Sequence, residues 1–266
     1  DIRILVLYSS QALARVNDMA ALIDLAIDET NQSFANSGLS SQMQVSLAGT
    51  GEVTFDETNY EAMLDQLADT ADGIMDDVHQ RRLDSEADLV VLIVARADYC
   101  GFGYVGGGYE DAFALVNYSC AAGNFSFAHE VGHIAGARHD IFSDSAREPF
   151  PYGHGHQSPS LNFRTLMAYN CDAGNCPRIN FWSTPSQIYN DEALGEPRIS
   201  NNRRVWRNSA AALARFHEDF LPPDVGRERW FFNINEPVYG TPVVDEQNRV
   251  YFSGQEGTVY QLASDG

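Results

Sequence analysis

A mixed fold of the α/β class, with a twisted, mainly parallel sheet covered by helices, is the architecture this sequence predicts. Two continuous apolar runs, Ile2–Tyr8 and Asp88–Val94, have the length and composition of buried strands. Between them lie two long stretches with apolar residues at helical spacing. Gln44–Ala48, between those stretches, alternates polar and apolar residues as a further strand does. The order strand–helix–strand–helix–strand is what the crossover connections of a parallel sheet produce.

Ala20, Leu22, Ile23, Ile27 and Phe34 mark the first helix; Met63, Leu64, Leu67, Ile74 and Val78 mark the second, read as one continuous element. Gly101–Gly108 (Gly-Phe-Gly-Tyr-Val-Gly-Gly-Gly) breaks this rhythm. It reads either as a surface loop or as an edge strand whose bare backbone lets a substrate peptide add a strand. The second reading makes Gly103, Tyr104 and Gly106 candidate substrate-binding residues. Ala112–Tyr118 is another strand, and Gly123-Asn124-Phe125-Ser126 leads into a helix. Periodicity then fades until Arg203–Phe216, an amphipathic helix. A regular first half meeting an irregular second half suits a cleft enzyme and gives the fold an α+β character. From Trp230 three short strands follow, Pro237–Val244, Arg249–Ser253 and Gly257–Leu262, with Pro222, Pro223 and Gly226 before them. The expected organisation is a main domain over 1–221, a linker over 222–229 and a short C-terminal β segment over 230–266.

The chain of 266 residues is long enough to bury a full core, and its 44% hydrophobic content is ordinary for a globular protein. No apolar run is long enough to cross a membrane. Strand-like sequence begins at Ile2 with no signal-peptide pattern ahead of it, the expectation for a mature, processed form. The 17 basic residues are all arginine, against 37 acidic ones, for a net charge of −20. Such a surface repels nucleic acid and anionic membranes, which excludes both as expected partners. It suits salty surroundings, although compositional drift explains it equally well. The absence of lysine is also compatible with secretion, since a lysine-cleaving protease would find nothing to cut. Four cysteines, Cys100, Cys120, Cys171 and Cys176, suggest disulfides in an extracellular protein, with three connectivities open. Cys100–Cys120 and Cys171–Cys176 are favoured because each joins neighbouring segments. A zinc site held by these cysteines is the competing reading, but the spacing fits no familiar ligand pattern.

The chemistry is concentrated in His129-Glu-Val-Gly-His133-Ile-Ala-Gly136-Ala-Arg-His139. On a helix, His129 and His133 lie one turn apart on one face and can reach one ion. Gly136 can take the left-handed backbone that ends the helix and returns the chain, which delivers His139 as a third ligand. Three histidines leave one tetrahedral position open, the pattern of a single catalytic Zn2+. Glu130 stands beside the first ligand, where its carboxylate can take a proton from a water activated there. The alternative is a helix that happens to carry histidines, which this spacing makes improbable. His154 and His156 read as solvated or hydrogen-bonded histidines, and His79 and His217 carry no argument beyond their helical settings. The acidic run Asp72–Asp77 could attract calcium, but no EF-hand pattern supports it, so it reads as a solvated helix face.

The histidine run, followed by Thr165-Leu-Met167-Ala-Tyr169, resembles the metzincin clan of zinc endopeptidases. Within it, Asn117–Cys120, Ser126–His133, Gly136–Asp140, Arg164–Tyr169 and Cys176-Pro-Arg178 resemble the bacterial peptidyl-Asp metallopeptidase family. The resemblance runs from Ile2 to about Phe216. It implies a metzincin-like catalytic domain, protein or peptide substrates, and Met167 as a structural methionine in a turn beneath the metal. It also implies cleavage on the amino side of aspartate, which requires a cation in the pocket for the residue after the cut. Arg178 is the first basic residue past the methionine turn and can clasp a carboxylate with two hydrogen bonds. Its alternative is a surface salt bridge with an acid such as Asp172; Arg164 and Arg147 are the reserve candidates. Tyr169 matches a tyrosine that steadies the oxyanion in two metzincin families, or else is a packed core tyrosine. Asp140 is expected to brace the methionine turn. Residues 230–262 resemble one blade of a quinoprotein-type β-propeller, or an ordinary hairpin extension.

The leading expectation is a secreted endopeptidase preferring aspartate after the cut. The alternatives are a metzincin protease of broad or apolar specificity and, from another class, a binding or adhesion module on a vestigial protease fold. Nothing in the sequence speaks to oligomeric state.

Overall fold

The computed structural model describes residues 1–160, 162–171, 175–219, 242–245, 249–254 and 258–262. The chain divides into two compact units, Asp1–Leu221 and Pro222–Gly266.

In chain order the first unit contains β1 (Ile2–Ser9), α1 (Ser10–Leu13), α2 (Met19–Asn36), β2 (Val45–Val53), α3 (Tyr60–Ala68), α4 (Asp77–Asp84), β3 (Leu89–Val94), β4 (Gly101–Gly103), β5 (Phe113–Asn117) and α5 (Ser126–Ile134). These are followed by β6 (Thr184–Tyr189), β7 (Glu192–Leu194), α6 (Asn202–Leu213) and α7 (Phe216–Asp219). The central sheet has the order β2-β1-β3-β5-β4. β1, β2, β3 and β5 pair in parallel, and β4 adds antiparallel to β5 at the edge. The α/β class and the mainly parallel sheet are therefore as the sequence predicts.

Both faces of the sheet are covered at β1, β3 and β5, which explains why these strands are apolar without alternation. Ile4, Val6, Leu89, Val91 and Ile93 face one core with α2, α5 and Trp206 of α6. Leu5, Leu7, Val90, Leu92 and Val94 face the other, with Met63, Leu64 and Leu67 of α3 and Val78 of α4. α2 and α3 begin where short polar side chains satisfy free N–H groups: Asp18 accepts from Ala21 N at 3.0 Å and Asn59 from Ala62 N at 2.9 Å.

One expected helix is two. Between α3 and α4, Asp69 accepts from Ala71 N, Asp72 from Ile74 N and Asp76 from Gly73 N, at 2.8, 2.7 and 3.1 Å. These local bonds compete with the helical ladder, and Gly73 and Met75 take positive φ. The Asp72–Asp77 run is thus mostly turn, not helix face. The long apparently irregular stretch also holds a feature that periodicity missed, the β6–β7 pair.

The second unit shows β8 (Val243–Val244), β9 (Val250–Ser253) and β10 (Val259–Leu262), an antiparallel sheet of order β10-β9-β8. The linker expected at 222–229 and the strand sequence at 237–241 lie outside the described residues. Two disulfides join Cys100 to Cys120 and Cys171 to Cys176, and no cysteine is free. Among the described residues no helix is long and apolar enough to cross a membrane.

Candidate active site

α5 carries the first two histidines and the glutamate, all buried. Its end is built as the sequence suggests. Gly136, at φ 96°, follows the last turn; its N–H donates to His133 O at 2.8 Å, and Ala137 N donates to Gly132 O at 2.9 Å. This pair of bonds closes the helix and reverses the chain, so His139 returns to the face that displays His129 and His133. Gly132 in mid-helix has a separate reason: a Cβ there would meet Met167 Sδ and the Trp182 ring, each at 2.8 Å. Met167 is buried against this helix, in a turn closed by Ala168 N donating to Thr165 O at 3.0 Å.

The three imidazoles fit a metal. The Nε2 of His139 lies 3.0 Å from that of His133 and 3.1 Å from that of His129. Tetrahedral ligands about 2.0 Å from zinc stand about 3.3 Å apart. His129 Nδ1 donates to Leu166 O and His133 Nδ1 to Ala137 O, both at 2.8 Å. Each bond places the proton on Nδ1 and leaves the Nε2 lone pair free. Burial holds the rings neutral: His133 is pushed down to about 3 with help from His139, His129 well below its usual value with help from His133, and His139 to about 4 against the pull of Asp144. Among the described residues this is the one cluster of histidine, cysteine and acidic side chains fit to hold an ion.

Glu130, His129, His133 and His139 line a cavity of about 580 Å³ together with Tyr99, Gly101, Phe102, Gly103, Val105, Ser126, Asp144, Tyr169 and Arg178. Glu130 Oε2 is buried with no hydrogen-bond partner among the described residues, and burial raises its carboxyl to about 8 against the pull of Arg178. A metal dication nearby would favour the ionised form. The Tyr169 ring stands 3.9 Å from that of His139, centroid to centroid, and the residue is 47% exposed, so it is no packed core tyrosine. Asp140 accepts from Tyr169 N at 3.0 Å, the bracing role expected of it.

Arg178 lines this cavity and an adjoining one of about 370 Å³ that Arg164 also lines. Its Nη1 donates to Asn124 O at 3.0 Å, and its Nε is buried with no partner among the described residues. Among the described residues no carboxylate pairs with it; Asp172 lies outside them. Burial and then repulsion from Arg164 lower its pKa to about 10, with Glu130 and Tyr169 opposing. Arg147 is exposed and lines neither cavity.

Some expected residues lie elsewhere. Tyr104 does not line the cavity: its hydroxyl donates to Asp65 of α3 at 2.9 Å, and its ring packs on the second core. Gly106 does not either; its N–H donates to His133 O at 2.8 Å, and a Cβ would meet Pro149. Only Gly103 of the three stays beside the glutamate, with Gly101, which the sequence reading passed over. The Gly-Phe-Gly alternation was the available signal, because residues two apart on a strand share a face. His154 and His156 are buried rather than solvated: His154 Nδ1 donates to His139 O at 2.9 Å and His156 Nδ1 lies 3.2 Å from Ser200 Oγ. His217, expected to be incidental, contacts buried Asp88 at 2.6 Å.

Comparison with known proteins agrees with this geometry. The sequence model of metallo-peptidase family M12 matches residues 1–183. A peptidyl-Asp metalloendopeptidase of Stenotrophomonas maltophilia (strain R551-3) is 40% identical over 221 residues, 81% of this chain and 52% of that protein. One from Xanthomonas campestris pv. campestris is 39% identical over 218 residues, 81% and 51% of the two chains. A third, from Pseudomonas fragi, is 46% identical over 98 residues, 36% of this chain and 62% of that one. The chain spans about half the length of the first two. A solved structure described as a chaperone–substrate complex shares the fold at a TM-score of 0.57 and 19% identity, over 80% of this chain and 34% of the other. With a family match over most of its length and a three-histidine zinc site in place, the chain belongs to metallo-peptidase family M12.

Proposed function

We propose that this chain is the catalytic part of a secreted zinc endopeptidase that cuts peptide bonds on the amino side of aspartate. The observation that carries the aspartate reading is Arg178, a largely desolvated guanidinium with no carboxylate partner among the described residues, in the cavity of the three ligand imidazoles. The relatives named peptidyl-Asp metalloendopeptidases support the same reading. Two disulfides support an oxidising, extracellular setting.

His129, His133 and His139 hold the zinc, which when bound supplies Lewis-acid chemistry, acidifying water and polarising the scissile carbonyl. Glu130 takes the proton from the attacking water and passes it to the leaving amine. Its Oε2 is available to do so, since among the described residues no donor occupies it. The Tyr169 hydroxyl, carried on a ring against His139, donates to the oxygen on which charge develops. β4, at the sheet edge, offers its backbone to an extended substrate. Arg178 receives the aspartate carboxylate, and contact at this range outweighs the repulsion that a net charge of −20 exerts on an acidic substrate.

The test is a pair of quenched fluorescent peptides that differ only by Asp or Asn after the cut. The zinc-loaded chain should cleave the Asp peptide at least about tenfold faster by kcat/KM, Glu130→Gln should cleave neither, and Arg178→Ala should treat both alike. Equal cleavage by the parent would remove the aspartate reading and leave a protease of broad specificity.

A further inference from the structure

The N-terminal end of α5 faces both cavities. Ser126, its first residue, lines the cavity of the zinc ligands and the one enclosed by Arg164 and Arg178. A serine at a helix start commonly turns its hydroxyl onto a free N–H of the first turn. Here the cap position belongs to Phe125, in the left-handed region at φ 59°, and no side chain caps the helix. Ser126 is 2% exposed, yet among the described residues its Oγ has no hydrogen-bond partner. A buried hydroxyl left unpaired in a folded protein calls for a reason.

Arg178 supplies the second half of the pattern. Its Nη1 is tied to Asn124 O, which fixes the guanidinium, while its Nε is buried with no partner among the described residues. Arg164 is occupied differently, with Nε on Cys176 O at 3.1 Å and Nη1 on Ala168 O at 2.6 Å. Among the described residues no carboxylate lines the cavity these arginines share. Two unused donors, two positive charges and the positive end of a helix therefore converge where, among the described residues, no carboxylate pairs with either arginine.

We infer that Ser126 is a specificity-determining residue, whose hydroxyl donates to the carboxylate that Arg178 holds on the residue after the cut. The inference rests on the aspartate reading above. Arg178 supplies the charge and Ser126 a second donor from a fixed point on the helix. Aspartate can accept from both. Asparagine would turn an amide N–H₂ towards donors, and glutamate, one methylene longer, would bring its carboxylate past the hydroxyl.

The experiment compares peptides carrying Asp, Glu or Asn after the cut, cleaved by the zinc-loaded parent, Ser126→Ala, Ser126→Thr and Arg178→Ala. The readout is the ratio of kcat/KM values within each protein, which does not depend on the fraction folded. Ser126→Ala should narrow the Asp-to-Asn and Asp-to-Glu ratios about tenfold, chiefly through a higher KM for Asp, with the Asn peptide unaffected. Ser126→Thr, which keeps the hydroxyl, should restore most of the preference. If Ser126→Ala keeps the parent's ratios while Arg178→Ala loses them, the inference falls and the aspartate reading stands. An equal loss on all three peptides assigns the hydroxyl a structural role and also overturns it. A parent without preference for Asp overturns both.

Discussion

Gly101 leaves the space that the Glu130 side chain fills: a Cβ on Gly101 would lie 2.6 Å from the Glu130 Cγ and inside its carboxylate. The edge strand and the zinc helix therefore meet at a point where only a bare backbone fits, and the meeting aims the carboxylate into the cavity. Gly101→Ala should displace Glu130 without touching a zinc ligand. Activity should fall by about 100-fold, the scale of a misplacement near 1 Å, with one zinc still bound per chain. Activity assays beside metal analysis check this; retained activity would mean that Glu130 needs no fixed seat.

Asp140 anchors the methionine turn. Its buried carboxylate accepts from Tyr169 N at 3.0 Å, from Ser143 N at 3.1 Å and from Ser143 Oγ at 3.2 Å. Asp140→Ala strands these donors and should cost about 2–3 kcal/mol, a drop in Tm on the order of 5–10 °C. Asp140→Asn keeps an acceptor oxygen and should lose about half as much. Thermal unfolding of the two variants separates these outcomes.

The disulfides should contribute unequally. Cys100–Cys120 closes a separation of 20 residues and Cys171–Cys176 one of 5. Loop-closure entropy assigns them about 3 and about 2 kcal/mol. Cys100→Ser with Cys120→Ser should therefore lower the denaturation midpoint more. Cys171→Ser with Cys176→Ser should show its larger effect in the preference for Asp, because Cys176 lies two residues before Arg178 and its carbonyl receives Arg164.

Metal removal gives a fourth expectation. A chelator should abolish cleavage, and stoichiometric Zn2+ should restore it. Glu130→Gln should bind zinc as the parent does and stay inactive, since the amide cannot take the proton. Zinc titration followed by calorimetry checks binding independently of activity.

The sequence made the metal site legible because helical geometry and one glycine determine it. The spacing of His129 and His133 gives one face, and Gly136 gives the reversal that returns His139. The sheet was legible for a similar reason, since strands buried on both faces are apolar throughout. Contacts between segments far apart in the chain were not legible. Nothing local shows that Gly101 seats Glu130, that Tyr104 turns away to Asp65, or that His217 meets Asp88 across 129 residues. The break between α3 and α4 could have been read from Asp69, Asp72 and Asp76, whose side chains capture nearby N–H groups, had they been weighed against the apolar spacing.

The central claim is that a zinc site and an arginine-lined pocket act on one bond. Its most direct measurement is the sequence of every new N-terminus after the zinc-loaded chain digests a mixture of denatured proteins. Asp should dominate those termini, and Arg178→Ala should remove the bias while cleavage continues. Mixed or apolar termini from the parent chain would contradict it.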